Sequence, residues 1–226
     1  MTKVVIFMVV MLLRLVESRR FGVIGGVQTI ISKSPYQLAF LSNNKLKCGA
    51  SIISETFCLT AAHCTSQYSV NITVRAGSTF KNDGGVVIKV IKIYNHPVFD
   101  RIKLVNDFAL LELEKPLKFS VYIQPVELPE EGEDFEDGTE CTVSGWGKMD
   151  NDEKPSELRS VTVYIVNQDI CQQKYNTSEV KFRITSVMLC AGFPEGGRDG
   201  ELNESNRLLS SKIIQIYYFL LSLPGK

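Results

Sequence analysis

Short apolar segments punctuated by turn residues run through most of this chain. "YQLAFL", "ASII", "VNITVRAG", "VVIKVIKIY", "DFALLEL" and "SVTVYIV" are rich in Val, Ile, Leu and aromatic residues. Most are bounded by Gly, Pro, Asn or Asp, which is the spacing of strands in a sandwich or barrel. Helical periodicity is hard to find before residue 165, and "NQDICQQKY" then predicts one short helix behind an Asn cap. The acidic, Gly-containing stretch "PEEGEDFEDGTE" predicts a loop where the chain crosses between two subdomains. The pattern therefore predicts an all-β protein.

The N-terminus departs from this pattern. Lys3 precedes ten apolar residues, Val4 to Leu13, and then Val16-Glu17-Ser18. Charged, apolar and cleavage-site regions in that order predict a secretory signal over residues 1–18. The apolar run is about half the ~20 residues that a spanning helix needs, so no membrane association is expected once the signal is removed. A secreted chain places its six cysteines in an oxidising compartment. It also opens the sequons at Asn71, Asn176 and Asn203 to glycosylation. Lys+Arg and Asp+Glu number 25 each, so no global field draws nucleic acid, and none is expected as a partner.

Two histidines are present, so an imidazole base is either His63 or His96. His63 lies in "LTAAHC" and His96 in "YNHPVF". Farther on come "NDFALLELEKPL", "CTVSGWG" and "MLCAGFPEGGRD", with "VIGG" at Val23 and "PYQLAF" at Pro35 before them. In this order the motifs resemble the trypsin/chymotrypsin serine proteases, from about Val23 to Gly200.

The resemblance implies a fold of two antiparallel β-barrels. It implies peptide-bond hydrolysis by acyl transfer without metal or cofactor, acting on proteins or peptides, by a secreted zymogen that works as a monomer. His63 then matches the general base and Asp107 the carboxylate that orients it, the roles of the Ser-His-Asp template drawn from this same family. Asp199 matches the acid that receives an Arg or Lys side chain in the specificity pocket, a charge-assisted contact. The resemblance pairs Cys48 with Cys64 and Cys171 with Cys190, leaving Cys58 and Cys141. Residues 19–22 become a short propeptide, although Gly22 stands before Val23 and the basic pair Arg19-Arg20 lies further back.

After Gly200 the resemblance stops. The family continues Cys-x-Gly-Asp-Ser-Gly-Gly-Pro, and this chain reads "ELNESNRLL". Glu201 replaces the cysteine, Asn203 an oxyanion-hole glycine, and Asn206 and Arg207 the two later glycines; Ser205 falls in register with the nucleophile behind Glu204. A hydroxyl without oxyanion donors and fixed geometry has little to offer catalysis. The expectation is a protease domain over 23–200 with its second barrel incomplete, an unrelated tail over 201–226, and no activity in the chain as written. Gly200-Glu201-Leu202 can be encoded GGT-GAG-TTN, which contains a common intron start, so a retained intron is one origin for the tail. The rival reading is a non-catalytic homologue that binds a partner without cutting it.

Overall fold

A computed structural model describes residues 26–68, 70–130, 133–147, 154–177, 183–186 and 188–192. Within them the strands are β1 (Val27–Gln28), β2 (Gln37–Ser42), β3 (Lys45–Ile52), β4 (Phe57–Thr60), β5 (Ile72–Ala76), β6 (Val86–Asn95), β7 (Ala109–Leu113), β8 (Glu140–Gly145), β9 (Arg159–Val166) and β10 (Cys190–Gly192). Two α-helices accompany them, α1 (Ala62–Gln67) and α2 (Gln168–Thr177). Each of the six segments singled out by hydrophobic pattern contains a strand or part of one, and the chain is mostly β.

Strands β2 to β7 close into one barrel in the order β2-β3-β4-β7-β6-β5, every pair antiparallel. Closure removes the free edges that an open sheet must protect. Side chains alternate across a strand, so Ile72, Val74 and Ala76 of β5 and Leu111 and Leu113 of β7 point into one core with Leu38, Phe40 and Ile52. Gly77 follows β5 at φ 72°, and a Cβ there would meet Ile123 at 2.9 Å, so the turn closes this tightly only with glycine.

β2 is buried along its whole length. Its Leu38 and Phe40 enter the barrel, while Ala39 and Leu41 meet Ile31, Trp146 and Leu158 on the outside. One strand thus serves two cores, which is why "LAFL" has no polar position. Polar groups at this seam are matched in pairs. The Ser144 hydroxyl donates to Gln37 Oε1 at 2.8 Å, and Gln37 Nε2 donates to the carbonyls of Leu38 (3.1 Å) and Ala50 (3.4 Å). The carbonyl of Thr79 accepts from Trp146 Nε1 (2.9 Å) and the Leu158 amide (2.8 Å). Buried polar atoms are tolerated when bonded in this way.

The second sheet centres on β9, which pairs with β8 on one edge and with β1 and β10 on the other. Among the described residues it is open. Val161, Val163, Ile165 and Ala191 form its apolar face. The acidic stretch lies between the last barrel strand and β8, where a crossing was expected. α2 starts as predicted, with Asn167 Oδ1 accepting from the amides of Asp169 (3.0 Å) and Ile170 (3.3 Å). The segments at residues 1–25 and 193–226, including the expected signal, propeptide and tail, lie outside the described residues.

Candidate active site

β4 and β7 run antiparallel with Thr60 opposite Ala109 and Phe57 opposite Glu112. His63 follows Thr60 by three residues and Asp107 precedes Ala109 by two, so extending this register past the barrel rim brings the two together. After Thr60 the chain turns into α1, whose short length leaves little helical pattern in the sequence. Before β7, Leu104 and Asn106 adopt left-handed conformations (φ 51° and 56°), and the Phe108 amide donates to the Asn106 carbonyl at 2.9 Å. This tight reversal aims Asp107 inward.

The resulting contact is double. His63 Nδ1 donates to Asp107 Oδ2 at 2.7 Å, and the His63 backbone amide donates to Oδ1 at 2.7 Å. The Asp107 side chain is 4% exposed and that of His63 is 18% exposed. A buried carboxylate is costly unless it is bonded, and here both oxygens have donors. The second bond also resolves a local deficit. Ala61, at the N-cap of α1, has no side chain able to bond the first amides of the helix, and Asp107 supplies that acceptor from the start of the neighbouring strand β7.

Cys64 is bridged to Cys48 of β3, with Cα atoms 6.4 Å apart, which pins α1 to the barrel wall. Thr60 Oγ1 donates to the Gly49 carbonyl at 2.8 Å beside it. His63 Nε2 lies 3.2 Å from Cys64 Sγ. Cys48, His63 and Cys64 place three ligand atoms within 4.8 Å of one another, but both sulfurs belong to the disulfide and offer no thiolate to a metal. In the second unit, Cys171 of α2 is bridged to Cys190 of β10. Cys58 and Cys141 are unbridged.

An imidazole whose Nδ1–H is held by a carboxylate presents its Nε2 as the basic nitrogen, in a fixed orientation. It can accept a proton, and the carboxylate stabilises the cation that forms. The other histidine is placed differently: the His96 ring meets the edge of Phe108 at a centroid distance of 4.5 Å, and burial lowers its pKa. Asp199, Glu201, Asn203, Glu204 and Ser205 lie outside the described residues. The capping role of Asp107 was not anticipated. The signal for it was faint: a helix start at Ala61-Ala62 without a Ser, Thr, Asp or Asn, which implies a cap from elsewhere.

Comparison with known proteins matches the trypsin family over residues 23–202. The chain belongs to the trypsin family. Among its relatives, trypsin 5G1 of Aedes aegypti is 38% identical over 180 residues, 78% of this chain and 66% of that protein. The trypsin of Simulium vittatum is 39% identical over 183 residues, 78% of this chain and 73% of that protein. The chain therefore spans between 66% and 73% of the length of these two trypsins. Solved structures share the fold, among them these two. The scabies mite inactivated protease paralogue S-D1 superposes with a TM-score of 0.71 at 29% identity, covering 76% of this chain and 74% of that one. Neuropsin, a serine protease expressed in the limbic system of mouse brain, superposes at 0.68 and 26% identity, covering 80% and 79%. The trypsin-family fold is thus established for this chain: a closed first barrel beside the second sheet. No helix among the described residues is long and apolar enough to cross a membrane.

Proposed function

We propose that this chain derives from a secreted serine endopeptidase that cuts after Arg and Lys, and that the chain as written does not itself hydrolyse peptide bonds. The doubly bonded His63–Asp107 pair carries the first half of this reading. In it, His63 takes a proton from a serine hydroxyl and returns it to the leaving amine, while Asp107 holds the tautomer and stabilises the imidazolium. Asp199 receives the basic side chain of the substrate. Residues 1–18 act as the signal, 19–22 as the activation segment and 23–200 as the protease domain, with 201–226 outside it.

The second half rests on "ELNESNRL", which stands where the family places its nucleophile and oxyanion glycines. Removing the nucleophile of a triad protease costs on the order of a million-fold in turnover. Purified chain is expected to release no product from Arg or Lys esters and amides and to resist a serine-directed covalent probe. Turnover that disappears in Ser205→Ala would overturn this and make Ser205 a working nucleophile.

A second reading is favoured by one observation. The scabies mite structure is, by its description, an inactivated protease, and it shares this fold. A non-catalytic homologue that binds polypeptides is the form this reading takes here, and the absence of turnover is common to both. Saturable binding of a peptide carrying Arg, lost in Asp199→Ala, would distinguish a binding protein from a product without function.

A further inference from the structure

The sequons are the motifs that the protease reading leaves without a role. Of the three, Asn71-Ile72-Thr73 is the one whose residues are all described; Ser178 of the second and the whole of the third lie outside the described residues. Asn71 stands exposed just before β5, at φ 48°, a left-handed conformation that Asn tolerates. Its backbone carbonyl accepts from the Asn43 amide at 3.3 Å, and its Nδ2 donates to Asn43 Oδ1 at 3.1 Å. That side-chain bond uses one of the two Nδ2 hydrogens. A sugar can therefore replace the other and leave the bond in place, on a surface open to a bulky substituent. Asn176, by contrast, lies inside α2, and its Oδ1 accepts from Gln172 Nε2 at 2.9 Å.

Thr73 supplies an independent observation. It lies in β5 between Leu41 of β2 and Lys89 of β6, while its neighbours Ile72 and Val74 fill the barrel core. Its hydroxyl oxygen is buried and has no hydrogen-bond partner among the described residues. Burying an unbonded hydroxyl is unfavourable. Val has the same branched shape and suits a strand equally well, so the fold gains nothing from this oxygen. A sequon does gain from it. The enzyme that glycosylates a nascent chain reads the hydroxyl two residues after the Asn, before β5 has formed.

We propose that Asn71 carries an N-linked oligosaccharide, and that the Thr73 hydroxyl serves this modification and not the fold. The inference rests on the secretory reading above, which brings the nascent chain to the transferase. The donor is a polyprenyl-diphosphate oligosaccharide. Asn71 Nδ2 forms a bond to C1 of the donor's terminal N-acetylglucosamine as the bond from C1 to the diphosphate oxygen breaks. The diphosphate leaves with the electron pair, and Nδ2 gives up one proton to a base of the transferase. The sugar then stands beside the β2–β3 turn and next to Val70, an exposed apolar side chain.

The test expresses the full chain in cultured eukaryotic cells, once with its own residues 1–18 and once with these replaced by the leader of a well-secreted protein. Chains from cells and medium are pooled and treated, in heavy-oxygen water, with an amidase that releases N-glycans. Each Asn that bore a glycan then appears in a peptide map as labelled Asp. Label at position 71 on most chains is expected, kept in Thr73→Ser and lost in Thr73→Val. Thr73→Val is preferred to Asn71→Gln, because Gln at positive φ would add backbone strain. When both are made with lipid-linked sugar synthesis blocked, Thr73→Val should unfold at the same urea concentration as the unchanged chain or at a higher one. Label at position 71 with the substituted leader alone would refute the signal assignment and uphold this proposal. The proposal is overturned if position 71 stays unlabelled with both leaders, or if its label persists in Thr73→Val. It is equally overturned if Thr73→Val unfolds at lower urea, because the hydroxyl would then serve the fold.

Discussion

Asp107 grips His63 at two points, the ring and the backbone, with both bonds at 2.7 Å. The carboxylate that orients the imidazole also begins the helix that carries it. Orientation of the site and local folding of α1 therefore depend on the same side chain, and unfolding measures this dependence without reference to turnover.

Asp107→Ala is expected to cost about 2–4 kcal/mol in urea unfolding, combining a lost cap of about 1 kcal/mol with a lost bond to a charged group. Asp107→Asn keeps an acceptor for the His63 amide and should lose clearly less. Equal losses in the two variants would show that the cap contributes nothing.

The cysteines make a second prediction. Cys48–Cys64 and Cys171–Cys190 should survive peptide mapping, while Cys58 and Cys141 alkylate only or mainly after denaturation without reductant. Burial pushes the Cys58 thiol up from 9.0 to about 12 and, with the nearby Glu140, raises that of Cys141. In the native protein Cys141, half-buried, should react slowly and Cys58 not at all. A Cys58–Cys141 bridge would contradict this assignment.

The same shift sets a pH dependence. Because the native pKa of Cys58 lies above its unfolded value, its contribution is fully present below about pH 9 and is lost as pH rises toward 12. Tyr175, raised by burial to about 12, acts in the same direction once pH exceeds 10. Unfolding midpoints should fall between pH 8 and 10.5, and fall less steeply in Cys58→Ala. Comparing slopes avoids the separate cost of the cavity that the substitution leaves.

Much of the fold was visible in advance because barrel strands carry a period-two signal and sharp turn residues. What escaped was short. β4 ("FCLT"), β8 ("ECTVSG") and β10 ("CAG") have too few apolar positions or too little length for that signal. Helix α1 is six residues long, less than two turns, so no periodicity can accumulate. At the site, residue types left His63 and His96 both open and the resemblance singled out His63 and Asp107; their joint geometry came from the β4–β7 register, which a single chain does not display until its strands are paired. Asp199, one acid among glycines, was named only through resemblance and lies outside the described residues.

Secreted material should begin near Arg19. N-terminal sequencing checks this, and an intact Met1 in a membrane fraction would count against the signal assignment.

Transcripts address residues 201–226 directly. Genomic sequence across Gly200-Glu201-Leu202 is expected to read as a splice donor, with a downstream exon encoding the Cys-x-Gly-Asp-Ser-Gly-Gly-Pro segment. Spliced transcripts joining the two would supply His63 with its serine and Cys141 with a bridging partner. If every transcript runs through "ELNESNRLL" with no such exon beyond, the intron idea fails and the non-catalytic homologue leads.

β2, with one face in each core, governs what a partly opened molecule presents to its surroundings. The six-stranded barrel can stay shut while β8 and β9 move away, since its own hydrogen-bond ladder is closed. Such an opening would strip cover from Ala39, Leu41, Trp146 and Leu158 at once and break the Ser144–Gln37 link. It would leave two apolar faces in water, Ala39 and Leu41 on the barrel and Trp146 and Leu158 beside the departing strands, the kind of surface that chaperones retain and that drives aggregation. The packing of this seam, as well as the His63–Asp107 pair, therefore bears on how much apolar surface the chain presents.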